Sequence, residues 1–242
     1  MNNVRTVSDT KRTFYSLHTR PVHSIYRRVV DELMVEMHLL SVNLDFRYDP
    51  IYALGIVSAF NRFMQSYQPE PDKASIFNAL CRSVEADPEQ YQRDAAQVEA
   101  LARGVSANEL IEILGHPDRI TDFEQLRNDL HRMIGKGDFK YSRLFAIGLL
   151  TLLELSDPEL VKDEKQRIEV LKQICEVLHL PQDKLEKDLD LYRSNLEKMI
   201  QAQIVIEDAL KADRKQREQR EQAKNAAPTS DDASKDGAAS GS

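Results

Sequence analysis

Three times in this chain an aspartate is followed directly by a proline, at Asp49-Pro50, Asp87-Pro88 and Asp157-Pro158, and each time a run with helical spacing of apolar residues comes next. The pairing has a physical reason. An aspartate side chain accepts an orphan backbone N–H of the first helical turn, and a proline just inside the helix lacks the N–H that would have found no partner there. A chain punctuated in this way is divided into separate helices with defined starts.

The remaining punctuation agrees. Ser8 is placed to cap a short first helix, and Arg20-Pro21 marks a break with Pro21 at the first position of a second helix. That helix runs to about residue 43, with Val22, Ile25, Val29, Leu33, Met37 and Leu40 recurring at three and four residues as a core face. Residues 51 to about 67 carry Leu54, Val57, Phe60 and Met64, and Pro69-Glu-Pro71-Asp72 ends that helix and caps the next. Gly104 is expected to close the helix after Asp87 in a left-handed turn. Ser106 with Glu109, and Thr121 with Glu124, have the spacing of capping boxes, each worth on the order of 1 kcal/mol. Gly135-Lys-Gly137-Asp138 reads as a loop before the most hydrophobic helix, over about residues 139–155, and one further helix runs from Asp157 to near His179.

From about residue 181 no break appears before about residue 224. At about 1.5 Å per residue this helix reaches roughly 65 Å, so part of it should project. Leu185, Leu189, Tyr192, Leu196, Met199, Ile206 and Leu210, with Gln203 in the one gap, alternate spacings of four and three, which is a heptad seam. The seam can pack on the chain's own body or on a second chain. The expectation is an all-α protein: a multi-helix bundle over residues 1–180, a long, partly projecting, coiled-coil-like C-terminal helix over 181–224, and a low-complexity, disordered tail over 225–242.

Composition narrows the function classes. A formal charge of -7 argues against nucleic acid as a partner, because such binding draws on Lys and Arg neutralising phosphates. Cys81 and Cys175 have neither redox nor metal-ligand spacing, so a reducing compartment fits. The beginning of the chain lacks a secretory apolar core, and the most apolar stretch, residues 144–153, is too short to span a bilayer.

Motifs for chemistry are sparse. Glu176 and His179 have the Glu-x-x-His spacing of di-iron bundles, but one copy stands where two are needed. Ser8 and Lys11 spell Ser-x-x-Lys without its companion motifs. His38 lies one heptad after Asp31 and reads as a satisfied boundary histidine. No catalytic, metal or cofactor residue is assigned; an enzyme or metal protein built inside the bundle is the competing class.

The segment that does suggest function is the first 30 residues, which hold six basic residues against one acid, Asp9. Lys11, Arg12, Arg20, Arg27 and Arg28 interleave with Tyr15 and Tyr26, residue types enriched where proteins dock. These seven are the candidate partner-binding residues. The alternative is that the rings are core and the arginines are bridged within the chain. A third reading is peripheral contact with an anionic lipid surface, at about 1 kcal/mol per basic residue.

The stretch from Thr6 to Asn43, followed by Tyr48-Asp-Pro-Ile-Tyr-Ala-Leu-Gly55, Phe60-Asn-Arg-Phe-Met64, Ser75-Ile-Phe-Asn-Ala-Leu80, Asp87-Pro88 and Tyr141-Ser-Arg-Leu-Phe-Ala-Ile-Gly148, resembles the thylakoid formation protein family, whose cyanobacterial members are called photosystem II biogenesis proteins. The resemblance covers the chain to about residue 210. It implies a helical, non-enzymatic protein without cofactors that supports photosynthetic membrane biogenesis and the photosystem II assembly or repair machinery, and that associates with the membrane-bound FtsH protease complex. It also implies a cyanobacterial protein without a plastid leader, in the cytoplasm or peripherally on the cytoplasmic face of the thylakoid, where a contact with anionic thylakoid lipid would lie.

Overall fold

The computed structural model describes residues 5–136 and 139–226, and its ordered elements are helices, with no strand among the described residues. In chain order they are α1 (Val7–Leu17), α2 (Ser24–Ser41), α3 (Pro50–Phe63), α4 (Glu70–Ser83), α5 (Pro88–Ala102), α6 (Ala107–Gly115), a 3-10 turn (Pro117–Arg119), α7 (Glu124–Lys136), α8 (Arg143–Ser156), α9 (Pro158–Lys162), α10 (Glu164–Leu178) and α11 (Gln182–Ala226). Gly135 and Lys136, expected in a loop, form the end of α7, and residues 225 and 226, expected in the tail, still belong to α11; Gly137, Asp138 and the rest of the expected tail lie outside the described residues.

The Asp-Pro signals do what their chemistry requires. Asp49 accepts from the Tyr52 N–H at 2.8 Å, Asp87 from the Glu89 N–H at 3.0 Å and Asp157 from the Leu160 N–H at 3.0 Å, with the proline at the helix start in each case. The Ser106–Glu109 capping box forms.

Other starts differ from the expectation. Thr6, with Asp9 as its reciprocal partner, caps α1 instead of Ser8, since the box satisfies two orphan groups where a lone serine satisfies one. Pro21 remains outside α2, which begins at Ser24. Thr121 donates to its neighbour Asp122 and α7 starts only at Glu124, so that capping box is not made. Gly104 has φ of 153°, a backbone open to glycine but distinct from the left-handed helical turn. The single helix expected from Asp157 to His179 is two, because Asp163 caps α10 by accepting from Lys165 and Gln166. Arg167, buried in the first turn of α10, donates to the Val161 carbonyl at 2.9 Å and so closes α9.

The body from Met1 to Met199 is one compact unit, and Ile200–Ser242 is a second. At the centre of the first lie α3 and α8, which pack on each other, with α5 also against α3. Both helices are mostly buried: Leu144 to Leu153 of α8 are buried without exception, as are Pro50 to Ile56 of α3, and the polar residues Arg62 and Glu154 near their ends pair with each other. Their axes approach closely at Gly55 and Gly148. A Cβ on Gly55 would lie 2.7 Å from the Leu144 carbonyl carbon and 3.0 Å from the Gly148 nitrogen, and one on Gly148 would lie 2.9 Å from Ile51 Cγ2. α1 packs on α4, and α10 on α6.

Within the first unit the early heptad positions of α11, Leu185, Leu189, Tyr192 and Met199, belong to the hydrophobic core. In the second unit Ile200, Ile204, Val205 and Ile206 are exposed.

Candidate functional site

The basic residues of the N-terminal segment lie on α1, on α2 and in the links before and between them. Thr10 and Phe14 face inward, with Phe14 fully buried and the Thr10 hydroxyl 2.8 Å from Nδ1 of the buried His38. That contact, and not Asp31, satisfies His38. The turn of the helix then sends Lys11, Arg12 and Tyr15 the other way.

Most of the candidate cations already have partners. Lys11 pairs with Asp31 at 3.3 Å, Arg12 with Asp9 at 3.4 Å and Arg28 with Glu32 at 2.8 Å, all on the surface. Arg20 reaches the Asp72 carboxylate at 2.8 Å, and this pair is different in kind, because the Asp72 side chain is only 4% exposed. Removing Arg20 would strand a buried charge. Tyr26 is buried, its ring edge-to-face with Tyr67 at 4.9 Å between centroids, so it underlies the surface and is not presented by it. Tyr15 is exposed and packs edge-on to Phe14. Arg27 donates to the Val22 carbonyl at 3.3 Å and has no carboxylate partner among the described residues.

Arg27 and Arg28 also border a cleft of about 970 Å³, formed between segments far apart in the chain. One wall is the outer face of α2, the other is the beginning of α11, and the segment 141–143 closes one end. Across it Arg143 donates from Nε and Nη2 to Glu36 Oε2 at 3.1 and 2.6 Å. Burial pushes the Glu36 carboxyl above the ordinary glutamate range, against the pull of Arg143; burial would lower Arg143, but Glu36 holds its guanidinium above the usual arginine value. The Tyr141 hydroxyl donates to Asp188 at 2.8 Å, and burial together with that hydrogen bond pushes the phenol far up, so it stays a neutral donor. Lys184 stands 4.9 Å over the Tyr141 ring in a cation–π contact. Leu39 and Leu191 are 57% and 48% exposed on the two walls.

This arrangement is suited to holding another molecule by shape, charge and apolar area. Its carboxylates are engaged, by Lys11, Arg28, Arg143 and the Tyr141 hydroxyl, while Arg27 and Lys184 on its walls have no carboxylate partner among the described residues. No group of three or more His, Cys, Asp and Glu among the described residues is placed to hold a metal. His179 follows α10 in a left-handed conformation as its C-cap, which takes it off the helical face of Glu176. Ser8 is an exposed first-turn residue. Both cysteines are buried, and burial pushes Cys81 up to about 12 and Cys175 to about 11, which leaves them thiols at neutral pH.

The sequence missed Glu36, Tyr141, Arg143, Lys184 and Asp188. The only signal was a charged residue inside an apolar run, at Glu36, and another at the threshold of the most apolar helix, at Arg143. Neither names its partner.

Comparison with known proteins covers the cleft and the core alike. Residues 6–221 match the family described as thylakoid formation protein. Protein Thf1 of Nostoc punctiforme is 62% identical over 222 residues, which are 92% of this chain and 94% of that protein. Protein Thf1 of Trichormus variabilis is 60% identical over 92% of this chain and 95% of its own length. A solved structure described as Psb29 superposes with a TM-score of 0.76 at 44% identity, covering 88% of this chain and 98% of the solved one.

Proposed function

Because the chain belongs to the thylakoid formation protein family, we propose that it is a non-catalytic helical adaptor, an assembly factor for photosynthetic membrane and photosystem II biogenesis and repair that binds and supports the membrane-bound FtsH protease complex. The observation that carries the reading is the extent of the family match. It runs through residues 6–221, so the whole body of the protein follows the family pattern.

The chemistry of the surface supports association by docking. Tyr15, Arg12, Arg27 and Arg28 offer a ring and planar forks on the outer side of α1 and α2, types that lose little entropy when held by a partner. No helix among the described residues is long and apolar enough to cross a membrane, so in this reading the protein meets the cytoplasmic face of the thylakoid peripherally, through its partner. Direct binding to anionic lipid is a weaker reading: Lys11, Arg12, Arg20 and Arg28 would each have to exchange a carboxylate already in place for a phosphate.

The test is recovery of the protease from solubilised thylakoids on tagged protein carrying Arg12→Glu, Arg27→Glu and Arg28→Glu together. Arg20 is left in place because it neutralises the buried Asp72. Recovery should fall by at least about tenfold, since reversing rim charges places like charges against the partner. Unchanged recovery removes this surface from the adaptor reading, and failure of the unmodified protein to recover the protease removes the reading itself.

A further inference from the structure

The cleft between α2 and the beginning of α11 has two helix faces for walls. Arg28, Val35 and Leu39 follow one another along α2, while Lys184, Leu191 and Asn195 do so along α11. Leu39 and Leu191 are large apolar side chains left half in water on opposite walls. Covering them would return about 25 cal/mol per Å² of apolar surface.

Charge defines what would cover them. Every carboxylate of the cleft is engaged: Asp31 by Lys11, Glu32 by Arg28, Glu36 by Arg143 and Asp188 by the Tyr141 hydroxyl. Arg27 and Lys184, one on each wall, have no carboxylate partner among the described residues; Arg27 has a carbonyl and Lys184 a ring. The cleft thus offers an apolar middle with uncommitted positive charge on both sides.

We propose that this cleft is the docking groove for an amphipathic helix of a partner protein, one that presents leucine-type side chains at i, i+3 or i+4, and i+7, flanked on both edges by Asp or Glu. The proposal rests on the adaptor reading and narrows it to one surface and one partner element. The apolar stripe fills the space between Leu39 and Leu191, and the flanking acids meet Arg27 and Lys184.

The probe is a fluorescein-labelled helical peptide of about 15 residues, with leucines at those positions and glutamates along both edges, beside a twin with lysines in place of the glutamates. Anisotropy titration should show the acidic peptide binding at least about tenfold more tightly than its twin, with affinity falling as salt rises. Leu39→Ser with Leu191→Ser should weaken the acidic peptide by about tenfold or more, and Arg27→Gln with Lys184→Gln should erase the preference between the twins. All four side chains are exposed, so the variants should keep the parent circular dichroism and melting temperature.

Equal binding of the twins, absence of binding, or binding indifferent to the leucine pair would overturn the proposal. So would light scattering that shows a dimer dissociated by Leu39→Ser, since a second copy would then be the occupant. The leucine-pair variant also goes through the thylakoid recovery assay. Protease recovered by unmodified and variant protein alike leaves the adaptor reading standing without the groove, whereas peptide binding without any protease recovery does the reverse.

Discussion

Replacing Gly55 by alanine should unfold this protein at a lower temperature, even though alanine is the better helix former. In an open helical position the change from glycine stabilises by up to about 1 kcal/mol. At Gly55 the new methyl group meets backbone: it lies 2.7 Å from the Leu144 carbonyl carbon, closer still to that carbonyl's oxygen, and 3.0 Å from the Gly148 nitrogen. Backbone in the middle of a buried helix has no rotamer to change. α3 and α8 must therefore separate by about 1 Å, and a gap of that size forfeits a quarter to a half of the dispersion across the seam. A seam holding the equivalent of two buried leucines gathers roughly 12 kcal/mol, so the loss is about 3–6 kcal/mol, and the propensity gain reduces it to about 2–5. For a body of this size that corresponds to a fall in melting temperature of roughly 4–20 °C, measured by circular dichroism at 222 nm and by urea titration. Gly135→Ala is the control, because a Cβ there meets nothing within 4 Å, and it should be neutral or slightly stabilising. A Gly55→Ala protein as stable as the parent would refute the claim that this crossing is set by backbone contact.

Three further outcomes follow from single groups. Asp49 is fully buried, with Oδ2 unpartnered and with Asp129 and Arg132 facing it from α7; burial pushes its carboxyl up to about 7. Folding therefore favours its protonated form, so its contribution declines as pH rises from about 4 through 7 and is lowest above 7. Asp49→Asn keeps the cap, and should be more stable than the parent by a few kcal/mol at pH 8, with the difference shrinking toward pH 4.5 in parallel urea titrations. A pH-independent difference would contradict it. Arg143→Met leaves the Glu36 carboxylate buried without its cation and should cost about 2–3 kcal/mol, while Arg143→Met with Glu36→Gln costs clearly less; a double-variant loss equal to the sum of the Arg143→Met and Glu36→Gln losses would show that the two are not coupled. Arg20→Gln should destabilise by about 1–2 kcal/mol by stranding Asp72, whereas Arg28→Gln, in an exposed i,i+4 pair, should leave stability unchanged, and chemical unfolding that ranks them the other way would refute the distinction drawn between the two pairs.

How much of this was readable beforehand depends on the range of the interaction. The helix starts at Asp49, Asp87, Asp157 and Ser106 were legible because a cap is made within three residues. Misreadings arose where two local choices compete: Ser8 against the Thr6–Asp9 box, or one helix against two where Asp163 supplies a cap inside a continuous pattern. The basic N-terminal residues were identified by type, but whether each is free depended on Asp31, Glu32 and Asp72, and the last is far away in the chain. Tyr26 could be read as a surface ring until Tyr67 was found against it.

That the chain is helical, where most of its helices begin, which faces are apolar and which family pattern it carries all follow from spacing along one chain. That Gly55 and Gly148 bring two helices into backbone contact, that Arg20 serves a buried carboxylate, and that Glu36 meets Arg143 beside Tyr141 and Asp188 in a cleft came from the packing of distant segments. The reason is that a charge or a glycine has the same local preferences whatever lies opposite it. Its energetic role is set by the dielectric and the atoms that packing places within a few ångströms, often from a hundred residues away.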